Sequence, residues 1–230
     1  MTRAETDIDL PLVEAYDRWS DFYDTYDNPM VFGADCVVRE LAAATRGGTV
    51  VEFGCGTGRN LERLREAGAR RLVGCDLSSG MLERARARCP AFELFRQDMA
   101  EPLPLPDASA DLVLFCLTLE HVADPVTPLR EARRLVRGDG TVMVVEIHPF
   151  LSMGNVAAHF RDGDSIIRMP TVAHSFADHL NAQTMAGLVP GRVTEWRPRD
   201  FGKWGPVPEK VLKRGPDIPL LVQFRLRPRD

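Results

Sequence analysis

The stretch that decides the fold is Val50-Val51-Glu52-Phe53-Gly54-Cys55-Gly56-Thr57-Gly58-Arg59-Asn60. Its β-branched and aromatic residues predict a strand, and the three glycines at every second position predict a tight turn. Leu61 and Leu64 then form one face of a predicted helix. Strand, glycine turn and helix in this order open a nucleotide-binding α/β unit. Glycine is favoured in such a turn because a ligand approaches the backbone closely where no Cβ stands in the way.

The spacing of the glycines separates two classes of ligand. A dinucleotide-binding turn has the pattern Gly-x-Gly-x-x-Gly, in which the pyrophosphate rests at the start of the helix. Gly54 and Gly56 fit that pattern, but Arg59 occupies the position of the third glycine and Gly58 comes one residue too early. The pattern is instead acidic-x-Gly-x-Gly-x-Gly, with Glu52 at the end of the strand. A ligand that has no phosphate and a cationic amino-acid end suits that acid, and a turn without any ligand is the alternative.

This stretch resembles the first motif of the class I S-adenosylmethionine-dependent methyltransferases, and later segments resemble further motifs of the family in the same order. Asp76 ends the next predicted strand, where an acid that accepts from both ribose hydroxyls is expected. The resemblance implies that Leu77 packs on adenine and that Asp98 accepts from the adenine amino group. It also implies apolar contact from Met99 and main-chain contact from Leu117 to the cofactor.

The N-terminal segment carries aromatic residues at helical spacing. Tyr16, Trp19 and Tyr23 fall at positions i, i+3 and i+7, which lie on one face of a helix. Packing of this face against the core is one interpretation, and we favour it for Trp19 and Phe22. The family resemblance implies a helical cap over the cofactor, with Tyr16 and Tyr23 near the sulfonium, since an aromatic face suits a cation.

Strands and helices alternate five times up to residue 147, which predicts a parallel sheet with helices on both faces. Two more strands are predicted at residues 192–196 and 220–226. The expected fold class is therefore α/β, with a doubly wound, mostly parallel seven-stranded sheet, an N-terminal helical cap and a lid inserted after strand five. We expect a single domain made of a cap (1–34), a cofactor-binding core (35–147), a substrate lid (148–190) and C-terminal strands (191–230).

Histidines are the candidate proton acceptors, because an oxygen or protonated amine that receives a methyl group must lose a proton near neutral pH. His148 lies at the end of the fifth predicted strand and His174 at the start of a lid helix, so these two are the predicted catalytic residues. A role in tying down the lid backbone is the alternative for both. His121 is expected to pack or to form hydrogen bonds, and His159 and His179 to lie on helix surfaces.

Composition excludes several classes of protein. A chain of 230 residues with a net charge of -4 lacks the basic balance of a nucleic-acid-binding protein. No apolar run reaches the length of a membrane span. The five cysteines have no zinc spacing, so no metal is expected. Residues 1–7 lack the apolar stretch of a signal peptide, which predicts a cytoplasmic protein. The sequence does not predict an oligomeric state.

The predicted function is in-line transfer of a methyl group from S-adenosylmethionine to a small biosynthetic or secondary metabolite, at nitrogen, oxygen or electron-rich carbon, with S-adenosylhomocysteine as the product. One alternative is carboxyl O-methylation of a carrier-bound acyl chain, which the subfamily pattern also resembles. The arginines that would form its docking patch are Arg197, Arg199, Arg225, Arg227 and Arg229. Two further hypotheses are a nicotinamide-binding oxidoreductase and a non-catalytic protein that binds S-adenosylmethionine.

Overall fold

The computed structural model describes residues 6–42 and 45–229, which form ten strands and eight α-helices. The strands are β1 (Thr6–Asp9), β2 (Thr49–Phe53), β3 (Arg71–Asp76), β4 (Glu93–Arg96), β5 (Ala110–Cys116), β6 (Val136–Ile147), β7 (His159–Asp162), β8 (Ser165–Arg168), β9 (Leu188–Trp196) and β10 (Leu221–Pro228). The helices are α1 (Leu12–Trp19), α2 (Pro29–Ala42), α3 (Arg59–Glu66), α4 (Ser79–Arg88), α5 (Val126–Leu135), α6 (Pro149–Ser152), α7 (Phe176–Met185) and α8 (Glu209–Leu212). Short 3₁₀ turns span Tyr23–Thr25, Leu119–His121 and Pro198–Trp204.

Seven strands form the central sheet in the order β4-β3-β2-β5-β6-β10-β9. The first five are parallel, and β10 pairs antiparallel with both β6 and β9. Every residue of β2 is buried, as expected for a central parallel strand that is covered on both faces. The prediction of an α/β fold with a seven-stranded, mostly parallel sheet is confirmed.

Alternate residues of the strands enter two separate cores. Val50 and Leu112 pack with α2 and α3 on one face of the sheet. Val51 and Val113 pack with α5 and α7 on the other face. This division follows from the two-residue period of a strand, which sends successive side chains to opposite faces. It fixes the sheet between two helical layers, so the carboxyl ends of the parallel strands form one rigid edge.

A second, three-stranded sheet joins the N-terminus to the lid. β7 and β8 form a hairpin around Asp162 and Gly163, and Gly163 adopts the left-handed conformation at a φ of 59°. β1 pairs in parallel with β8, which the sequence did not predict. Trp19 of the cap stacks on Phe160 of the hairpin with ring centroids 4.7 Å apart. The cap and the hairpin therefore share backbone pairing and an aromatic cluster.

Helix α2 starts earlier than its sequence pattern, which predicts a helix over residues 35–46. It begins at Pro29, because the Oδ1 atom of Asn28 accepts from the Met30 N–H at 2.9 Å and proline favours a first helical position. Residues 43 and 44 lie outside the described part of that segment. The prediction from the first seven residues falls mostly on residues 1–5, which also lie outside it. No helix in the described ranges combines the length and apolar character that a membrane span needs.

Candidate active site

The glycine turn after β2 is left-handed at all three glycines, with φ values of 65° at Gly54, 53° at Gly56 and 72° at Gly58. This conformation costs other residues about 1–2 kcal/mol. A Cβ on Gly54 would lie 2.2 Å from the Oγ1 atom of Thr118, so packing alone requires glycine there. A Cβ on Gly56 would meet only the Met81 sulfur, at 4.0 Å. Gly56 therefore leaves open space for a ligand beside the backbone.

Asp76, at the end of β3, holds this turn in place. Its Oδ2 atom accepts from the Gly56 N–H at 2.8 Å, and its Oδ1 atom accepts from the Ser78 N–H at 2.9 Å. Burial raises the pKa of the carboxyl, and the hydrogen bonds from the backbone N–H groups oppose that rise. Each carboxylate oxygen keeps capacity for a second hydrogen bond. Asp76 can thus accept from two ligand hydroxyls while it fixes the turn.

A cavity of about 80 Å³, called the smaller cavity below, opens above this turn. It brings together eight of the predicted cofactor-binding residues, which are Tyr16, Tyr23, Gly54, Gly56, Asp76, Leu77, Met99 and Leu117. They come from the cap, the glycine turn and the ends of three parallel strands. This convergence is what the carboxyl edge of a doubly wound sheet provides.

Leu117 is in the left-handed conformation, with a φ of 56°. A non-glycine residue rarely adopts it, and strain of this kind is concentrated at functional sites. The Leu117 N–H donates to the Val145 carbonyl at 2.8 Å, which anchors the residue to β6. Leu117 lines both the smaller cavity and a larger one beside it.

Three predicted cofactor-binding residues do not line the smaller cavity. Glu52 is 1% exposed beneath the turn, where its Oε1 atom accepts from the Asn60 amide at 2.7 Å. Among residues 6–42 and 45–229 its Oε2 atom has no hydrogen-bond partner, and burial raises the pKa of Glu52 to about 8. Asp98 is exposed, and its carboxylate accepts from the Ala100 N–H at 2.9 Å, as in a turn. Gly58 packs against α4, where a Cβ would lie 3.1 Å from the Cβ of Ala85.

The larger cavity has a volume of about 300 Å³ and shares Tyr16, Tyr23 and Leu117 with the smaller one. Its other walls come from the cap, the 3₁₀ turn after β5, the lid and the segment around α8. The residues of the cap and lid cover the site, so a molecule bound here is shielded from water. Two adjoining cavities over the carboxyl edge suit a cofactor and a second reactant.

His121 and Tyr16 form a hydrogen-bonded pair where the two cavities meet. The Tyr16 hydroxyl lies 2.8 Å from the Nε2 atom of His121, and the Nδ1 atom lies 2.8 Å from the Pro170 carbonyl. A carbonyl only accepts, so Nδ1 carries the hydrogen and Nε2 accepts from Tyr16. Burial lowers the pKa of His121 and raises the pKa of Tyr16, which keeps both neutral. The hydrogen-bonding role expected for His121 is present, and the residue also lines the smaller cavity.

Glu120 is a residue that sequence reasoning missed. It lines the larger cavity, and burial raises its pKa to about 8, with a contribution from the nearby Glu146 carboxyl. Glu146 in turn accepts from the N–H groups of Thr118 and Leu119 at 3.1 and 2.9 Å, which fixes the 3₁₀ turn that carries Glu120. The available signal was its position four residues after the buried strand β5.

The two histidines predicted to be catalytic line neither cavity. His148 is 4% exposed; its Nε2 atom contacts Glu195 at 3.1 Å and its Nδ1 atom accepts from the Phe150 N–H at 3.2 Å. His174 is 7% exposed, and its Nε2 atom lies 2.9 Å from the Val122 carbonyl. The His148 side chain thus contacts lid backbone at Phe150, whereas His174 links the lid to the backbone of Val122, after the 3₁₀ turn that follows β5.

The remaining two histidines also differ from their predictions. His179 is buried at 5% exposure, and His159 is exposed on a strand instead of a helix. For residues 6–42 and 45–229, the side chains form no cluster of three or more metal-ligand types arranged to hold a metal ion.

A family model described as a methyltransferase domain matches residues 51–144. A probable S-adenosylmethionine-dependent methyltransferase of Mycobacterium tuberculosis is 36% identical over 108 residues, which cover 47% of this chain and 39% of the relative. A demethylmenaquinone methyltransferase of Tropheryma whipplei is 31% identical over 140 residues, covering 58% of each chain. The crystal structure of an S-adenosylmethionine-dependent methyltransferase from Mesorhizobium loti has a TM-score of 0.66 at 23% identity, over 83% of this chain and 95% of that one.

The matched segment spans roughly two fifths to three fifths of the length of these curated relatives. Two features of the smaller cavity fit S-adenosylmethionine. Glycine at position 56 keeps open a space that a Cβ would fill, and Asp76 keeps acceptor capacity for ribose hydroxyls. Tyr16 and Tyr23 add aromatic faces that suit a sulfonium. Residues 51–144 thus match a methyltransferase-domain family, and the fold is that of S-adenosylmethionine-dependent methyltransferases of known structure.

Proposed function

We propose that this chain transfers the methyl group of S-adenosylmethionine to a small molecule that binds in the larger cavity. The observation that carries the proposal is the junction of the two cavities at Tyr16, Tyr23 and Leu117. A cofactor held by Asp76 and the glycine turn would share this junction with the acceptor. Bound S-adenosylmethionine supplies an activated methyl group for in-line displacement, so the protein's main contributions are alignment and exclusion of water.

Glu120 is the proton acceptor in this proposal, in place of His148 and His174. It is the carboxyl group that lines the larger cavity next to the shared residues, whereas His148 contacts the Phe150 N–H and His174 contacts the Val122 carbonyl. Its pKa of about 8 lies close to neutral pH, so the ionised fraction of Glu120 can accept a proton from an amine or hydroxyl. The hydrogen bond to His121 holds the nearby Tyr16 hydroxyl in a fixed orientation.

The acceptor atom in this proposal is nitrogen, oxygen or electron-rich carbon of a small biosynthetic metabolite, and the reaction takes place in the cytoplasm. One relative is named as a demethylmenaquinone methyltransferase, which supports a small-molecule acceptor. The carrier-bound alternative has less support, because Arg197 pairs with Glu195 at 2.7 Å and Arg199 pairs with Asp217. These ion pairs reduce the positive charge of its docking patch.

Asp76→Ala tests the proposal on the cofactor side. We expect the Kd for S-adenosylmethionine, measured by calorimetry, to rise by more than about tenfold, because two hydroxyl acceptors and the support of Gly56 are lost. Asp98→Ala is the matched control, and we expect a smaller change because that carboxylate lies outside the cavity. Equal effects of the two variants would remove the assignment of Asp76.

Catalysis is tested by incubating the wild-type protein with tritiated S-adenosylmethionine and a bacterial metabolite extract. Transfer of tritium to an extract molecule, lost in Asp76→Ala, is the expected result. Tight retention of S-adenosylmethionine without transfer would favour the non-catalytic hypothesis. Binding of a nicotinamide cofactor in its place would favour the oxidoreductase.

A further inference from the structure

We propose that the acceptor has an apolar body and an anionic group, carboxylate or phosphate, which Lys213 and Arg214 bind at the mouth of the larger cavity. This inference rests on the proposed function, because it names the class of molecule that would receive the methyl group. It concerns the part of that molecule that does not react.

The positive charge at the mouth comes from one short segment around α8. Lys210, Lys213 and Arg214 all line the larger cavity. The Lys210 ammonium group donates to the main-chain carbonyl of Asp27 and lies 3.6 Å from the Asp27 carboxylate. Within the described ranges, Lys213 and Arg214 have neither an ion pair nor a hydrogen bond from their side chains, and both are exposed. Two cations are thus available at the opening.

This placement stands out against the rest of the chain. The protein has 26 arginines and only three lysines, and two of those lysines line this cavity. The third, Lys203, is paired with Glu40 at 2.7 Å. The chain as a whole carries a net charge of -4, so carboxylates are in excess. Among the described residues, other exposed cations such as Arg86 also lack an ion pair, but Lys213 and Arg214 differ from Arg86 because they line a cavity that can hold a ligand.

The acidic residues of the cavity do not neutralise this charge. Asp27 is occupied by Lys210. Glu120 lies near the residues shared with the smaller cavity, and its pKa of about 8 keeps much of it neutral at pH 7. The charge of the lining therefore changes along the cavity. A largely neutral carboxyl group lies near the cofactor side, and free cations lie at the opening.

Between these ends much of the wall is apolar. The apolar residues come from α2, the end of β6, α8 and the segments before β7 and β10, namely Met30, Val31, Ile147, Val156, Val211 and Leu220. Buried aliphatic surface of this kind selects a hydrocarbon or aromatic body. Lys213 and Arg214 do not line the smaller cavity, so the anionic group binds away from the methyl group. Such a contact strengthens binding in the ground state and the transition state alike, and it acts on KM more than on kcat.

The test uses probes that share one eight-carbon chain: octyl phosphate, octanoate and uncharged 1-octanol. Calorimetry is carried out on the full chain saturated with S-adenosylhomocysteine, so that the smaller cavity is filled. We expect at least one anion to bind with about tenfold or higher affinity than 1-octanol, since hydrogen bonds to charged groups are the strong ones. Comparison of the two anions shows whether phosphate or carboxylate is preferred.

The double variant Lys213→Gln/Arg214→Gln should lose this preference and bind the anions about as weakly as 1-octanol. Its matched control is Lys203→Gln/Arg86→Gln, which removes the same charge at exposed positions outside the cavity. Equal losses in the two double variants, or equal affinity of the wild type for all three probes, would overturn the inference. Failure of S-adenosylhomocysteine to bind the wild type would instead contradict the proposed function, and the two failures are therefore distinguishable.

Discussion

The smaller and the larger cavity meet at three residues, but they are built from different material. The smaller cavity depends on backbone conformation: left-handed glycines, a left-handed Leu117, and an aspartate that accepts from backbone N–H groups. The larger cavity is made of side chains from the cap, the lid and the α8 segment. Backbone geometry suits a site that always binds the same ligand, whereas side chains can be substituted without disturbing the sheet. The smaller cavity is therefore suited to binding the cofactor, and the larger cavity to selecting the acceptor.

Gly54→Ala should break the smaller cavity with the largest effect. The new Cβ meets the Thr118 hydroxyl at 2.2 Å, and overpacking of this kind costs about 1–3 kcal/mol beyond the left-handed strain. We expect S-adenosylmethionine affinity, measured by calorimetry, to fall by about a hundredfold or the protein to unfold at a lower urea concentration.

Gly163→Ala is the matched control, because Gly163 has a similar φ of 59° and nothing within 4 Å of a new Cβ. It isolates the left-handed strain from the steric clash. If both variants lose stability equally and keep cofactor affinity, the close approach to Thr118 has no functional consequence.

The pH dependence of the free energy of unfolding compares the buried carboxyls beneath the smaller cavity with those beside the larger one. Burial raises the pKa of Glu52 and Glu120 from 4.5 to about 8 and that of Glu146 to about 7. The folded protein therefore binds more protons than the unfolded chain between about pH 4.5 and pH 8. The free energy of unfolding from these groups is highest below that window and falls as pH rises, by at most about 1.4 kcal/mol per group per pH unit.

Urea unfolding at pH 6, 7 and 8 measures this slope. Glu52→Gln should flatten it by removing the titration beneath the smaller cavity, and Glu120→Gln by removing the one in the larger cavity. Glu83→Gln, on the exposed face of α4, should leave it unchanged. His121 and His179 have pKa values lowered by burial, so they raise stability with pH only up to about pH 6.5. A wild-type stability that rises from pH 7 to pH 8 would therefore contradict the raised carboxyl pKa values.

His148→Ala should give the smallest effect. The variant loses the side-chain cap of α6 and the contact with Glu195, so we expect the free energy of unfolding to fall by about 1 kcal/mol. Cofactor affinity and methyl transfer should stay unchanged, because His148 lines neither cavity. A large loss of transfer with normal stability would restore His148 as the proton acceptor.

The sequence predicted the smaller cavity well, since its residues follow strands in a fixed order and the topology brings strand ends together. Gly54, Asp76 and Met99 could be located in this way. The positions of the Glu52 and Asp98 side chains were harder to predict. Their exposure depends on local rotamers and on the side of the turn that each carboxylate faces.

The larger cavity was less predictable for a physical reason. Glu120 belongs to a 3₁₀ turn without apolar periodicity, and the cations at 213 and 214 reach the site through a long connection after β9. The pairing of β1 with β8 joins segments at opposite ends of a long stretch of chain, and β1 has too few apolar residues to indicate its partner. Position at a strand end indicated His148 equally well, although its side chain turns toward Glu195.

The pairing of β1 with β8 has a kinetic consequence. Backbone hydrogen bonds tie the first residues of the cap to the hairpin, and Trp19 is stacked on Phe160. Helix α1 therefore cannot swing away from the glycine turn without carrying the hairpin with it or detaching it. The cap and the hairpin would then open and close the two cavities together. We expect the residence times of cofactor and acceptor to change together in variants that strengthen or weaken the pairing of β1 with β8.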